Sequence, residues 1–261
     1  RHSLTEKTEI TTRLFWGSLD NEGDYVYDYP PLTVNRDRTR ARWWGGEARL
    51  VASGLTGHKL VLGADFQHDY RREQANFDVE PYERYLDSRR SGHRWGVFIQ
   101  DEIRLHQNLL LNAGVRYDDH SAGGAAINPR LGLIYQATPS TTLKAVYASA
   151  FRAPNAFELY YDPPSVGGMI SNAALGPERI RSAEFIVEHY LAANSRLSAT
   201  LFHNHVSDLI TQNVDTETDL LVYENLDRVR AIGLGLVLET AWSGGVRLRS
   251  SLSLQQARDM V

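Results

Sequence analysis

The sequence predicts an all-β protein, an antiparallel up-and-down transmembrane β-barrel of which about eleven strands are present. Three observations predict this fold: apolar and polar residues alternate over long stretches, short and long connections alternate along the chain, and the strands exceed the usual globular length. Mean hydropathy is only −0.38, and no stretch approaches the roughly 18 apolar residues of a membrane helix. Low hydropathy agrees with a barrel, because only every second side chain of a membrane strand faces lipid.

Residues 60–71 show the alternation most clearly. One parity begins with the apolar residues Leu60 and Leu62, whereas the other carries Asp65 and Asp69. Successive side chains of a strand point to opposite faces, so this stretch predicts one face toward lipid and one toward water. The same alternation recurs in residues 109–118, 232–239 and 246–255.

The strands follow in order along the chain. They are predicted near 8–18, 38–53, 58–71, 93–105, 108–118, 129–137, 141–150, 182–192, 196–208, 223–241 and 246–256. Short connections fall at 54–57, 106–108, 138–140, 192–195 and 242–245, and long ones near 19–37, 72–92, 119–128, 151–181 and 209–222. This regular alternation is typical of outer-membrane barrels, whose tight turns face the periplasm.

One predicted strand interrupts the pattern. In residues 94–105, Asp101 falls on the apolar parity, and we expect a β-bulge near Gln100–Glu102 to absorb it.

A soluble antiparallel sandwich, with the apolar face as its core, is the alternative fold. The long strands favour the membrane barrel over it. The last predicted strand runs outward without a return, and an unpaired sheet edge in lipid is very costly. We therefore expect residues 1–261 to form roughly half of a larger barrel.

Composition and motifs exclude several function classes. Lys and Arg total 28 against 32 Asp and Glu, and the formal net charge of −4 argues against nucleic-acid binding. Cysteine is absent from the sequence, so disulfides and thiolate-ligated metals are excluded. The sequence contains no nucleophile elbow, P-loop, zinc-protease helix or dinucleotide fingerprint, and we predict neither an enzyme nor a bound cofactor.

Two motifs follow the strand predicted at 141–150. The first comprises Phe151, Arg152, Ala153, Pro154, Asn155 and Glu158, and the second comprises Asn172, Leu175, Pro177 and Glu178. Pro154 lacks an N–H donor, so we expect it to end the strand and to start a short helical turn through Asn155–Tyr160. Two interpretations of Arg152 stay open: it packs the base of the loop, or it pairs with a carboxylate in the lumen or plug.

These motifs resemble the FRAPN-x-x-ELY and N-P-x-L-x-P-E stretches of TonB-dependent outer-membrane receptors, with Ala173 where that family usually has Pro. Residues 97–105, 109–118, 201–210 and 223–239 resemble further strands of the same barrel. The resemblance implies a plugged barrel of about 22 strands in the bacterial outer membrane that imports a scarce ligand with energy from TonB. The chain has no recognisable plug, so we expect contact with the TonB complex to run through a plug outside it.

The resemblance also implies that outer loops contact the ligand. Residues 23–31, 77–90 and 158–170 are rich in Tyr and Arg, which stack on and hydrogen-bond an aromatic chelate. The candidate ligand-binding residues are Tyr25, Tyr27, Tyr82, Arg84, Tyr85, Tyr160 and Tyr161. The alternative is that these are ordinary polar surface loops.

A ferric siderophore is the expected ligand, with cobalamin or another chelate as the alternative. A passive pore or a surface adhesin is the alternative from a different class. Haem receptors of the family carry a histidine between the two motifs, and residues 155–171 contain none, so haem is not expected.

Two further clusters were weighed as metal sites. His203 and His205 share one strand face, but a third ligand is not visible, and a pair facing the membrane interface is favoured. Residues 214–219 lack the Gly of a defined calcium loop, so a solvated loop is favoured. The sequence therefore predicts no metal site.

Overall fold

The computed structural model describes residues 2–28, 32–162 and 168–260, which form a single sheet of thirteen strands with one short helix. The elements are β1 (His2–Thr5), β2 (Thr8–Tyr27), β3 (Thr33–Ala52), β4 (His58–Asp78), β5 (Glu83–His106), β6 (Leu109–His120), β7 (Gly124–Thr138), β8 (Thr141–Arg152), α1 (Ala156–Tyr160), β9 (Met169–Ile170), β10 (Glu178–Ala192), β11 (Ser195–Val214), β12 (Leu221–Ala241) and β13 (Arg247–Asp259).

The sheet has the predicted up-and-down order. The path runs from β1 to β8 and then from β10 to β13, so each long strand pairs antiparallel with its neighbours in sequence. The eleven long strands match the predicted number, whereas β1 and the two-residue β9, which pairs in parallel with β12, were not predicted. Within the described ranges β1 pairs only with β2 and β13 only with β12, so the barrel is open between these two end strands.

Several connections predicted to be long are strands. β2 continues to Tyr27 and β3 begins at Thr33, and β4 and β5 extend likewise into the region predicted as the loop 72–92. The predicted loops 119–128 and 209–222 shorten in the same way to 121–123 and 215–220. The prediction was wrong for β3, β4 and β5 because their extensions carry mostly polar side chains on both faces and so lack the apolar signal. The connection after β8, residues 153–177, is long, as predicted.

The apolar parity lies on the outer surface of the sheet. Leu62, Phe66 and Leu201 are exposed, and Leu201 reaches 56%. The buried hydrophobic residues of the described part are Leu86, Ala122, Ala126, Leu159, Met169, Leu175 and Ile210. A sandwich would bury its strand leucines between two layers, so that alternative is wrong. No helix within residues 2–28, 32–162 and 168–260 is long and apolar enough to cross a membrane.

Aromatic rings on the polar parity lie flat along the inner wall. The ring of Phe98 covers Gly63 on the neighbouring strand, where a Cβ atom would come within 2.2 Å of it. Phe202 covers Gly233 in the same way, with 2.4 Å to the position of a Cβ. Glycine at these positions lets the ring pack on the strand backbone, so the large side chain does not project into the lumen.

Asp101 pairs with His58, and the strand has no bulge at this position. The pairing of β5 with β4 is regular from Val97 to Ile103, and a register shift occurs further on, between Arg104 and His106. Asp101 Oδ2 lies 2.7 Å from His58 Nδ1, near the short turn before β4. The predicted bulge at Gln100–Glu102 was therefore wrong, because the imidazole across the strand pair accommodates the carboxylate on the apolar face.

An aromatic band crosses the upper outer surface of β2 to β6. Trp16 Nε1 donates a hydrogen bond to Tyr70 Oη at 3.2 Å, and the rings of Trp95 and Tyr117 lie 5.3 Å apart. Aromatic belts of this kind mark the boundary between hydrocarbon and headgroups. The band therefore fixes the height at which the strands leave the membrane on the outer side.

Candidate functional site

Helix α1 begins the long connection at the outer mouth of the barrel. The Asn155 side chain caps the helix by accepting hydrogen bonds from the backbone N–H groups of Phe157 and Glu158, and the Glu158 carboxylate accepts from the Asn155 N–H. This reciprocal arrangement is a capping box. The predicted helical turn is confirmed, but Pro154 precedes the cap and does not occupy the first helical position.

Arg152 joins the two sequence motifs. Its Nε donates to Glu178 at 2.5 Å and its Nη1 donates to Glu158 at 2.9 Å. The other oxygen of Glu178 accepts the backbone N–H of Ile210 at 2.9 Å. Both carboxylates belong to this chain's own motifs, so Arg152 fastens α1, β10 and β11 together at the base of the loop.

A small hydrophobic cluster holds the long connection over the mouth. Leu159 of α1 is 2% exposed and packs with Ala122, Leu175 and Ile210. The Asn172 side chain donates to the backbone oxygen of Tyr223 at 2.8 Å, which ties the second motif to β12. The first and second motifs therefore fold inward together.

Tyr161 joins the connection after β8 to strands β3 and β4 on the opposite side of the barrel mouth. Its hydroxyl donates to Asp37 Oδ2 at 2.5 Å and accepts from Asn76 Nδ2 at 3.1 Å, on β3 and β4. Half-burial and the hydrogen bond to Asp37 raise the pKa of Tyr161 above the ordinary tyrosine value. Because β4 is four strands away from β8 in the sheet, this contact spans the concave face, and residues 153–162 cross the mouth.

Cationic side chains line the wall beneath this crossing. The guanidinium of Arg90 lies 3.8 Å from the centre of the Tyr160 ring, a cation–π contact. Arg94 donates to Gln67 at 2.8 Å, and Arg116 pairs with Asp65 at 2.6 Å. A cavity of about 630 Å³ opens on this wall, and its charged lining comprises Arg94, Arg116 and Arg152 together with Asp65, Asp118 and Asp119. Arg116 and Arg152 are paired with carboxylates, whereas Arg90 and Arg94 form no ion pair among the described residues. Arg90, Arg94 and the Tyr160 ring therefore suit an anionic aromatic ligand.

The structure brings some of the predicted ligand residues together. Tyr160 and Tyr161 lie at the crossing, Tyr25 stands opposite Asn35 on the same inner face as Asp37, and Tyr85 donates to Asp78 at 2.6 Å. By contrast, Tyr82 lies in the exposed β4–β5 turn, Arg84 pairs with Asp87 at its tip, and Tyr27 ends β2. Residues 29–31 and 163–167 of the predicted loops lie outside the described residues.

Sequence reasoning missed three residues of this region: Asp37, Asn76 and Arg90. All three lie in segments predicted as loops. Arginine at every second position from Arg36 to Arg42 was the available signal, because it places these arginines on one face and Asp37 on the other.

The structure shows the surroundings of the two clusters that were weighed as metal sites. His203 and His205 lie on the outward face, and Asp215 Oδ1 accepts hydrogen bonds from Glu217 and Thr218, which makes it a turn cap. No group of three or more His, Cys, Asp or Glu side chains in the described part of the chain could hold a metal ion.

We expect Tyr161→Phe to loosen the crossing by about 1–3 kcal/mol, because it removes two hydrogen bonds, one of them to a carboxylate. Hydrogen exchange of the Leu159 and Tyr161 amides, which bond within the α1 turn, measures this effect. Tyr223→Phe is the matched control, since Tyr223 flanks the same cluster and its hydroxyl has no partner among the described residues. Equal exchange in the two variants would contradict the assigned contact.

A family model described as TonB dependent receptor-like, beta-barrel matches residues 1–259 of this chain. The chain belongs to this family. Such receptors are outer-membrane proteins, and that membrane is therefore the surroundings of the exposed leucines described above. The family comprises transporters and receptors.

Two curated proteins of Vibrio cholerae serotype O1 are similar to the TonB-dependent receptor barrel described here. The iron-regulated outer membrane virulence protein is 27% identical over 169 residues, which is 64% of this chain and 25% of that protein. The vitamin B12 transporter BtuB is 33% identical over 154 residues, which is 59% of this chain and 23% of that protein.

Solved structures share the fold. The copper transporter OprC superposes with a TM-score of 0.75 at 16% identity, covering 98% of this chain and 45% of that one. A mutant of the ferric enterobactin receptor PfeA from Pseudomonas aeruginosa, in complex with enterobactin, gives 0.70 at 16% identity, covering 97% and 50%. The chain thus spans about half the length of these receptors or less.

Proposed function

We propose that residues 1–261 are part of the barrel of an outer-membrane receptor that imports a ferric siderophore. A plug outside this chain would couple it to the TonB complex, and cobalamin or another chelate is the alternative ligand. The proposal is supported by family membership and by relatives named for iron regulation and for enterobactin.

The observation that carries the choice of ligand is the cation–aromatic mouth. Arg90 and Tyr160 stack at the crossing, and Arg94, whose hydrogen-bond partner Gln67 is neutral, lies on the wall below. Ferric catecholates are anionic and aromatic, so guanidinium groups attract their charge and tyrosine rings stack on their catechols. The candidate contacts are Tyr25, Tyr27, Tyr82, Arg84, Tyr85, Tyr160 and Tyr161, together with Arg90. A passive pore or adhesin has less support, because residues 153–162 cross the mouth.

The test is binding of a ferric tris-catecholate to the protein in its full natural length. We expect Arg90→Gln to weaken binding at least about tenfold, since hydrogen bonds to charged groups contribute about 1.5–3 kcal/mol. Arg89→Gln is the matched control: it is the adjacent residue, points outward and pairs with Asp87. Fluorescence titration measures both affinities, and uptake of the labelled complex by cells with and without TonB tests coupling.

Two results would contradict this function. Binding of cyanocobalamin in place of the ferric complex would reassign the ligand. Equal losses in the Arg89 and Arg90 variants would show that the inner wall does not contact it.

A further inference from the structure

A row of basic side chains crosses the outward face of the last four strands. Arg181 on β10 stands opposite His205 on β11, His205 stands opposite Arg230 on β12, and Arg230 stands opposite Arg258 on β13. Further basic residues lie beside this row on the same face. We call the whole set the basic patch: Arg179, Arg181, His203, His205, Arg228, Arg230 and Arg258.

The basic patch lies where the strands leave the hydrocarbon. Arg181, Arg230 and Arg258 are each eleven residues from the periplasmic ends of their strands, at Ala192, Ala241 and Arg247. A tilted membrane strand needs about 9–11 residues to cross the apolar core. Below the row, the outward face is apolar and exposed: Phe185, Leu201, Ile232 and Leu254. The guanidinium groups are therefore at headgroup height.

The arginines of the basic patch have no neutralising partner among the residues that the structure describes. Within residues 2–28, 32–162 and 168–260, the five arginine side chains make no ion pair or hydrogen bond. The nearest carboxylates in sequence are Glu178, Asp208, Asp227 and Asp259, and none of them pairs with the patch, since Glu178 pairs with Arg152. Like charges placed opposite each other on neighbouring strands repel. An external anion would remove this cost.

Two arginines at the same height on the outward face, but near the other end of the strand order, are arranged differently. Arg40 and Arg42 of β3 lie twelve and ten residues from Ala52, and both pair with Asp20, at 3.6 and 2.7 Å. That sector also carries the aromatic band. The uncompensated charge is thus a property of β10 to β13 and not of every strand at this level.

A small cavity lies within the basic patch. It measures about 230 Å³ and is lined by His203, Arg230, Ile232, Gln256 and Arg258. Its lining combines two guanidinium groups with an apolar side chain on the membrane side, so an anionic group has room next to the start of the apolar band.

We propose that the basic patch binds the phosphate groups of an anionic lipid headgroup in the outer leaflet of the outer membrane. Guanidinium groups bind phosphate through two parallel hydrogen bonds, and basic clusters at the membrane surface bind anionic headgroups. The acyl chains of the same lipid would lie along the apolar residues below the row. This site is separate from the mouth, and it goes beyond the import function.

The experiment titrates the protein in its full natural length, in detergent, with diphosphoryl lipid A. The test variant combines Arg181→Gln, Arg230→Gln and Arg258→Gln. Each arginine at an anionic surface contributes about fivefold, so we expect the dissociation constant of the variant to rise about a hundredfold. Monophosphoryl lipid A, with one phosphate fewer, is expected to bind the unmodified protein more weakly.

Controls separate this site from alternatives. Arg40→Gln with Arg42→Gln, at the same height but paired with Asp20, is expected to leave the affinity within about threefold. Each variant is shown to be folded if its mobility on gels still changes on heating. If the triple variant does not fold, the single Arg230→Gln variant replaces it, and we expect its affinity for diphosphoryl lipid A to fall about fivefold. Equal affinities of test variant and unmodified protein would overturn the proposal, and so would displacement of lipid A by millimolar inorganic phosphate.

Discussion

Replacing Leu201 with arginine is expected to lower the free energy of unfolding of the barrel in lipid vesicles by about 2–4 kcal/mol. Leu201 is 56% exposed on the outward face of β11, midway between the strand start at Ser195 and His205 at headgroup height. At that depth the guanidinium would be surrounded by hydrocarbon, where a charge is most costly. The urea dependence of the folded fraction in phosphatidylcholine vesicles measures the loss.

The control for this prediction is Thr200→Arg. Thr200 lies one residue away on the inner face, opposite Gly235, where the space around the glycine is open. An arginine there would face the watery lumen, and we expect a change below about 1 kcal/mol. Equal losses in the two variants would contradict the assignment of the two faces.

Replacing Leu159 with alanine is expected to destabilise the described parts of the connection after β8, residues 153–162 and 168–177, by about 2–5 kcal/mol. Leu159 is the most deeply buried large side chain in the described part of the chain, and its cluster joins α1 to β11 and β12. Truncation leaves a cavity at the centre of a small core that has little else to fill it. Hydrogen exchange of the Leu159, Tyr161 and Leu221 amides, the last of which bonds to Gly168, is expected to accelerate.

Leu226→Ala is the matched control for Leu159. Leu226 follows Tyr223, which packs against the cluster, by three residues on β12, but it is 56% exposed. Removing an exposed side chain leaves no cavity, so exchange in the connection is expected to stay unchanged. Exchange that increases only after the Leu226 substitution would show that the cluster does not hold the loop.

The predictable part of the fold is the part that faces lipid. Alternation in 60–71 and 246–255 predicted the lower part of β4 and most of β13, because hydrocarbon requires an apolar side chain at every second position. Above the membrane that requirement ends, and both faces of β3 from Asn35 to Arg42 become polar. The strand continues there through backbone pairing and ion pairs such as Arg36–Asp24 at 2.6 Å, which a hydropathy pattern does not report.

The candidate site was less predictable because its contacts join distant parts of the chain. Tyr161 and Asp37 are 124 residues apart in sequence, and each looks like an ordinary surface residue in its own segment. The capping box at Asn155 and Glu158 was readable, because both partners lie within three residues. Arg152 was predicted in part. The sequence motif indicated that it lies at the base of the loop, but only the fold shows that Glu158 and Glu178 are its partners.

The central claim is that alternate side chains of each membrane-spanning strand face lipid and the watery lumen. Its most direct test is a nitroxide scan along residues 199–206 of β11 in the lipid-embedded receptor. The chain has no cysteine, so each introduced cysteine gives one labelled site in this segment. We predict that collision with oxygen, which dissolves in lipid, is high at 199, 201 and 203, and that collision with a water-soluble nickel complex is high at 200, 202 and 204. Oxygen and nickel accessibilities that do not alternate with a period of two residues would contradict the membrane-spanning barrel wall.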